Sequence, residues 1–295
     1  MSSKPYYYKV ADCLFSLTLP DVRPMDELLP SFQPFSSQPD AGEQILFAVT
    51  AGGEQPSASG VPHWTERQEN LFGHMEMSRF DSEYRCHVSF SEQGKRHVLV
   101  SSLDFTENRV FLDWEDTYVG KVLSAMLCLV FAQAGLMRGA VCFHASVVES
   151  GGLGYLFLGK SGTGKSTHSS LWLKRVPDAR LLNDDNPVVR LQEGRVEVYG
   201  TPWSGKTPCY RDASCPAGGF VRIVQAPENR FRLVADSQAF VQLLPSCSVI
   251  LRDKRLHGAL CDTLVGMVEA VKVGVLECLP DVSAVDCCRK GLGLD

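Results

Sequence analysis

Gly159-Lys160-Ser161-Gly162-Thr163-Gly164-Lys165-Ser166 is the stretch on which the reading of the whole chain turns. It fits G-x-x-x-x-G-K-[ST] in full, with a short apolar strand expected over residues 154–158 and a helix from about 166 to 174, the flanks the motif requires. Glycines let the backbone curl tightly and turn successive N–H groups inward, and the following helix N-terminus adds partial positive charge. Such a loop binds phosphate. Lys165 would reach the β and γ phosphates of a nucleoside triphosphate, and Ser166 would place its hydroxyl on Mg²⁺. The candidate nucleotide residues are Gly159, Ser161, Gly162, Thr163, Gly164, Lys165, Ser166 and Thr167, while Lys160 is read as solvated.

Working outward, residues 180–182 form a very short apolar strand that ends at Asn183-Asp184-Asp185 and can deliver both carboxylates to the loop. Adjacent residues on extended backbone point to opposite sides, so one carboxylate can face a metal ion and the other an acceptor. A carboxylate beside Mg²⁺ holds the ion, and one against an incoming hydroxyl takes its proton as phosphate transfers. The bland alternative is a turn whose Asn and Asp side chains bond backbone. The nearby loop favours the functional role.

His144, in Phe143-His144-Ala145-Ser146, belongs to the strand before the loop strand and can lie next to the metal or the acidic pair. A histidine in an apolar strand is, by itself, more often a satisfied core residue. His168 is read as structural. Thr201-Pro202-Trp203-Ser204-Gly205-Lys206 is a loop from which Lys206 can steady charge on a transferring phosphate, a solvated lysine being the equal alternative; Arg211 is a weaker candidate.

The rest of the chain divides in character. Residues 1–112 are β-rich and irregular, with Pro/Gly/Ser-rich segments over 30–43 and 52–62 and a hairpin expected from 98–103 and 109–114. Residues 113–295 alternate helix and strand. A buried helix is expected over 119–134, capped by Asp116 or Thr117 and stopped by a left-handed Gly135. Residues 140–148 read as one strand, turned back by 149–152. Glu193-Gly194 signals a hairpin between 188–191 and 196–199, and residues 220–225 and 231–234 repeat that design around Pro227-Glu228-Asn229. Helices are expected over 237–244 and 259–272, and a late strand over 273–278. Hairpins directly after the phosphate motifs argue against an all-parallel sheet, so the fold class is a mixed α/β core.

Composition narrows the remaining options. A formal net charge of −5 and a pI near 5.8, without a Lys/Arg block, exclude nucleic acid as a main partner. Eleven scattered cysteines, including the adjacent Cys287 and Cys288, do not form a secreted disulfide framework or a zinc pattern, and fit a reducing, cytoplasmic setting. The apolar stretch over 119–134 is shorter than the roughly 20 residues of a bilayer span, so no membrane partner is expected.

His144, the loop from Ser161 to Ser166 and Asp184-Asp185, in this order and at these spacings, resemble the HPr kinase and phosphoenolpyruvate carboxykinase superfamily. The likeness covers about residues 140–206 and continues more loosely to the C-terminus. Within it the HPr kinase/phosphorylase branch is the more similar, having a modest catalytic domain behind an unrelated N-terminal one. The resemblance implies a mixed-sheet P-loop kinase core over 113–295 with a smaller β-rich domain over 1–112. It further implies Asp185 as the base, Asp184 and Ser166 on the metal side, and a histidine, here His144, that binds metal or orients the acidic pair. Residues 196–200 are similar to the HPr kinase signature strand, but Tyr199 stands where an arginine is expected, so the likeness does not extend to the acceptor. The expected function is a phosphotransferase that uses ATP or another nucleoside triphosphate with Mg²⁺ or Mn²⁺ and phosphorylates a hydroxyl of a protein, a peptide or a small molecule. Its alternatives are a carboxykinase-like lyase and a nucleotide-binding sensor without turnover. Assembly into a homo-oligomer is left open.

Overall fold

The computed structural model describes residues 4–55, 57, 60–70, 73–90, 94–205 and 207–294. The chain divides into two compact units, residues 1–135 and 136–295. The division falls after the helix that the sequence assigns to the catalytic part, not at residue 112. The reason is packing: that helix lays its apolar surface on strands of the first unit.

In the first unit, β1 (Tyr6–Val10), β2 (Cys13–Thr18), β3 (Ser36–Ser37), β4 (Ile45–Ala51), β5 (Trp64–Asn70), β6 (Gly73–Arg79), β7 (Glu83–Ser89), β8 (His97–Ser102) and β9 (Glu107–Phe111) form one sheet. Its order is β3-β1-β2-β4-β9-β8-β7-β6-β5, mostly antiparallel, with β4 parallel to both β2 and β9. A single helical turn, α1 (Met25–Leu28), precedes the long α2 (Val119–Ala134). Phe131 of α2 stands edge-on to Phe15 and Phe47, whose rings stack 4.7 Å apart. By length and composition the helical stretch Val119–Arg138 could cross a membrane, and 78% of its most apolar window is buried. The expected ends of α2 differ. Tyr118 occupies the cap position without a side-chain cap, its own N–H going to Asp116 Oδ1, and Gly135 is helical; the left-handed residue is Gly139, where a Cβ would meet the Leu191 carbonyl at 2.5 Å.

The second unit holds β10 (Ala140–Cys142), β11 (Ala145–Ser150), β12 (Leu153–Leu158), α3 (Lys165–Arg175), β13 (Arg180–Asp185), β14 (Val188–Gln192), β15 (Arg195–Tyr199), β16 (Ser214–Gln225), β17 (Arg230–Val234), α4 (Asp236–Leu243), α5 (Lys254–Ala270), β18 (Val273–Cys278) and α6 (Val282–Leu292). Its sheet runs β10-β14-β15-β16-β12-β11-β13, and β18 pairs with β16 and β17. The class is mixed α/β: β12, β16 and β18 are parallel neighbours, while the remaining pairs are antiparallel.

Strands covered on both faces are apolar at nearly every position. Tyr155 and Phe157 of β12 join Trp172 of α3 and Ala284, Val285 and Cys288 of α6 in one core, and the intervening Leu156 and Leu158 are buried as well. On α5 the buried residues Leu256, Leu260, Leu264 and Met267 recur at helical spacing, and the helix starts five residues earlier than expected because the Asp253 carboxylate caps the Arg255 and Leu256 N–H groups.

Two strand expectations are overturned. Residues 140–148 are not one strand: Phe143 and His144 leave the ladder, their N–H groups going to the carbonyls of Pro187 and Ser246. Residues 220–225 and 231–234 do not pair with each other, because β18 lies between them. Local turn signals cannot reveal a parallel partner supplied by a distant segment.

Candidate functional site

Topology gathers the candidate residues. β13 is antiparallel to β11 and β11 to β12, so the C-terminal ends of β12 and β13 and the start of β11 meet at one edge, with Ala145 opposite both Leu158 and Asp185. In open α/β sheets this carboxyl edge is where ligands bind.

The glycine loop leaves β12 at Gly159 (φ +156), where a Cβ would come within 2.4 Å of Thr163 Oγ1. Gly162 and Gly164 are left-handed, φ +81 and +99, and Gly164 opens α3, whose first turn faces the loop. Only glycine adopts these angles without strain. Thr163 Oγ1 donates to the Lys160 carbonyl, bracing the loop from inside. Lys160, Ser161, Ser166 and Thr167 are exposed. Ser146 and Ser169, both buried, bond each other at 2.6 Å and fix α3 to β11.

Lys165 is buried, and its ammonium donates to the carbonyls of Gly159 (3.0 Å) and Lys160 (3.3 Å) and to His144 Nε2 at 2.8 Å. Because Lys165 only donates, His144 Nε2 accepts and its proton sits on Nδ1, which faces Asp185 Oδ1 at 3.0 Å. Burial pushes the Lys165 pKa down, a shift that Asp185 and Asp184 oppose. The other Asp185 oxygen accepts from Asn186 Nδ2 at 2.8 Å. Asp184 turns the other way, and its Oδ1 accepts from Ser166 Oγ at 2.8 Å. The two carboxylates thus diverge, as extended backbone requires.

Asp185 has φ +143, a conformation L-residues rarely adopt, at a cost of about 1–3 kcal/mol. A buried polar knot behind it sustains the corner. Asn183 Nδ2 donates to Thr201 Oγ1 (3.1 Å) and to the Trp203 carbonyl (3.2 Å), while Asn183 Oδ1 accepts the Asn186 N–H and Thr201 Oγ1 donates to the Asn186 carbonyl at 2.7 Å. Ser204 bridges to Asp185, and the Gly205 N–H bonds the Asp184 carbonyl, so this loop presses directly on the acidic pair. A Cβ at Gly205 would lie 3.0 Å from both Asp184 O and Asp185 Cβ.

The structure therefore brings together His144, the glycine loop with Lys165 and Ser166, Asp184 and Asp185. Lys206 lies outside the described residues. Arg211 is tied to the Leu181 carbonyl and Glu149, on the flank of β13. His168 is structural, as expected: its Nε2 accepts from Trp172 Nε1 at 3.0 Å, and burial lowers its pKa to about 4. Sequence reading missed Asn186 and the Asn183–Thr201 knot, although an asparagine on each side of the acidic pair was the available signal. It also missed Arg222, whose guanidinium bonds the Gln242 carbonyl and Ser246 Oγ and depresses the Lys165 pKa.

Among the described residues no group of three or more His, Cys, Asp or Glu side chains could hold a metal ion by itself. The donor set that does exist, Ser166 Oγ beside one Asp184 oxygen, fits Mg²⁺, which usually takes one or two protein oxygens and completes its shell with phosphates and water. No family model matches the sequence, and no curated protein matches it.

Proposed function

We propose that this chain is a nucleotide-dependent kinase, with a P-loop core of the HPr kinase and carboxykinase type, that transfers the terminal phosphate of a nucleoside triphosphate to a hydroxyl. The observation that carries this reading is the pair of divergent contacts around Lys165: His144 with Asp185 on one side, Ser166 with Asp184 on the other. On this reading one carboxylate serves a metal and the other takes a proton.

In the reaction the acceptor oxygen attacks the γ phosphorus, the bond to the β–γ bridging oxygen breaks, and the nucleoside diphosphate leaves with that electron pair. The hydroxyl proton goes to Asp185. His144 Nδ1–H keeps that carboxylate in position, and Asn186 holds its second oxygen. Lys165 exchanges its loop carbonyls for phosphate oxygens, so charge developing in the transition state meets a cation already in place. Mg²⁺, held by Ser166 and Asp184, would neutralise charge on the β and γ phosphates.

Incubating the protein with γ-labelled ATP, Mg²⁺ and a cell lysate tests this. A labelled acceptor that disappears with Asp184→Asn and with Asp185→Asn is expected. Equal labelling by the parent and Asp185→Asn would reject the assigned base. CO₂ release from oxaloacetate would identify a lyase instead.

A further inference from the structure

A cleft of about 610 Å³ opens on the far side of the glycine loop from the acidic pair. Gly162, Gly164 and Thr167 form one wall, and neither His144, Asp184 nor Asp185 reaches it. We propose that this cleft binds the adenine nucleoside end of the donor, making the donor ATP and not an inorganic polyphosphate. The inference rests on the phosphate-loop reading given above.

Four features carry it. The first is direction: a triphosphate with its terminal phosphorus between Lys165 and Asp185 and its chain along the loop must leave past Gly162–Gly164, into this cleft. The second is construction. The opposite wall comes from the loops that follow the parallel strands β16 and β18, the crevice in which α/β sheets usually take a nucleoside. Those loops are bonded to each other: Ala226 N–H donates to the Cys278 carbonyl, Leu279 N–H to Asn229 Oδ1 at 2.8 Å, and Asn229 Nδ2 to Asp281 and Ser283. Gln225 Nε2 ties the same wall to the Gly162 carbonyl at 3.3 Å. The wall exists before any ligand arrives.

The third feature is chemistry. Leu171, Ile223, Ala226, Pro227, Leu279 and Pro280 offer apolar surface, and none of the described lining residues is Asp, Glu, Lys or Arg. A neutral, flat heterocycle suits such a cleft, and the volume falls within the roughly 300–1,000 Å³ of small-molecule sites. The fourth is selectivity. Guanine presents N1–H and an amino group together and calls for a carboxylate, which the described lining lacks. Adenine needs single donors and acceptors, such as Gln225 and the Thr167 hydroxyl.

Titration calorimetry with Mg²⁺ on the full chain tests the proposal, using a non-hydrolysable ATP analogue, the matching GTP analogue and inorganic tripolyphosphate. The parent should bind the ATP analogue about tenfold or more tighter than either other ligand. Ala226→Phe, and independently Leu279→Trp at a half-exposed position, should erase that preference while leaving tripolyphosphate affinity in place. Equal affinity for the ATP analogue and tripolyphosphate in the parent would overturn the base site while leaving the phosphate loop intact. Equal affinity for the two nucleotides would overturn the choice of adenine. Binding of none of the three would overturn the phosphate-loop reading itself, and the cleft assignment with it.

Discussion

The two corners that meet at the site are built on opposite principles. The corner after β12 is a backbone device: glycines at 159, 162 and 164 take angles closed to other residues, and the side chains of Lys160, Ser161 and Ser166 stay exposed. The corner at the end of β13 is a side-chain device, in which Asn183 and Thr201, both fully buried, hold a non-glycine residue at φ +143. Flexible sequence with fixed geometry makes a good cradle for an anion. Strain locked by a buried polar knot makes a good mount for a carboxylate that must not move. The first corner should therefore fail locally when altered, and the second should fail together with the fold around it.

The sharpest way to break this contrast is Asp185→Asn. The amide keeps the shape and loses the basicity, so ATP analogue binding should persist while phosphoryl transfer falls by about 10²- to 10⁴-fold. Single-turnover rates measured beside binding isotherms check it, and a proportional loss of both would make the carboxylate a binding group.

Acid should act on the helix behind the loop. His168 has its folded pKa lowered to about 4 from 6.5, so the unfolded state takes up its proton first. Stability is then complete above about pH 6.5 and falls as pH drops toward 4, by about 3 kcal/mol in all from this group. Denaturant melts of the parent and His168→Gln between those limits should differ in slope; parallel curves would remove His168 from the account.

Thr201→Val tests the knot. It keeps the shape and deletes a hydroxyl that serves Asn183 and Asn186, so about 1–3 kcal/mol of stability should be lost, and with it the Asp185 geometry and transfer activity. Gly159→Ala is the matching test of the other corner. Its methyl meets Thr163, and the expected result is a tenfold or somewhat larger weakening of tripolyphosphate binding, with an unfolding midpoint close to the parent's. If Gly159→Ala unfolds the protein as readily as Thr201→Val does, the distinction between the corners is wrong.

The same contrast explains what was legible in the sequence. The glycine loop is written in consecutive residues, and so are the Glu193-Gly194 hairpin, with φ +51 and +75, and the strand 273–278. The acidic corner was legible only in its carboxylates, because the residues that hold it come from β13 and from a loop near Thr201, joined by bonds no local pattern encodes. His144 shows the same limit. Its place in an apolar run pointed to an unbroken strand, whereas the backbone leaves the ladder there because Pro187 and Ser246 supply carbonyls from elsewhere. Pro227-Glu228-Asn229 misled for a related reason. Asn229 spends its side chain tying two distant loops together, and turn chemistry alone does not distinguish that from a hairpin.

The insertion of β18 between β16 and β17 has a consequence for how the chain is made. On the ribosome, β16 and β17 emerge as neighbours before β18, the strand that pairs with both in the native sheet. The native order requires both edges to wait until residues 273–278 are free to pair. Chains ending between 234 and 272 and released from the ribosome should then be digested readily by protease, and resistance should arrive abruptly once the chain extends past 278. Earlier resistance would mean that a provisional β16–β17 hairpin forms first and is later pried open, making vectorial synthesis a hazard this fold must outlast.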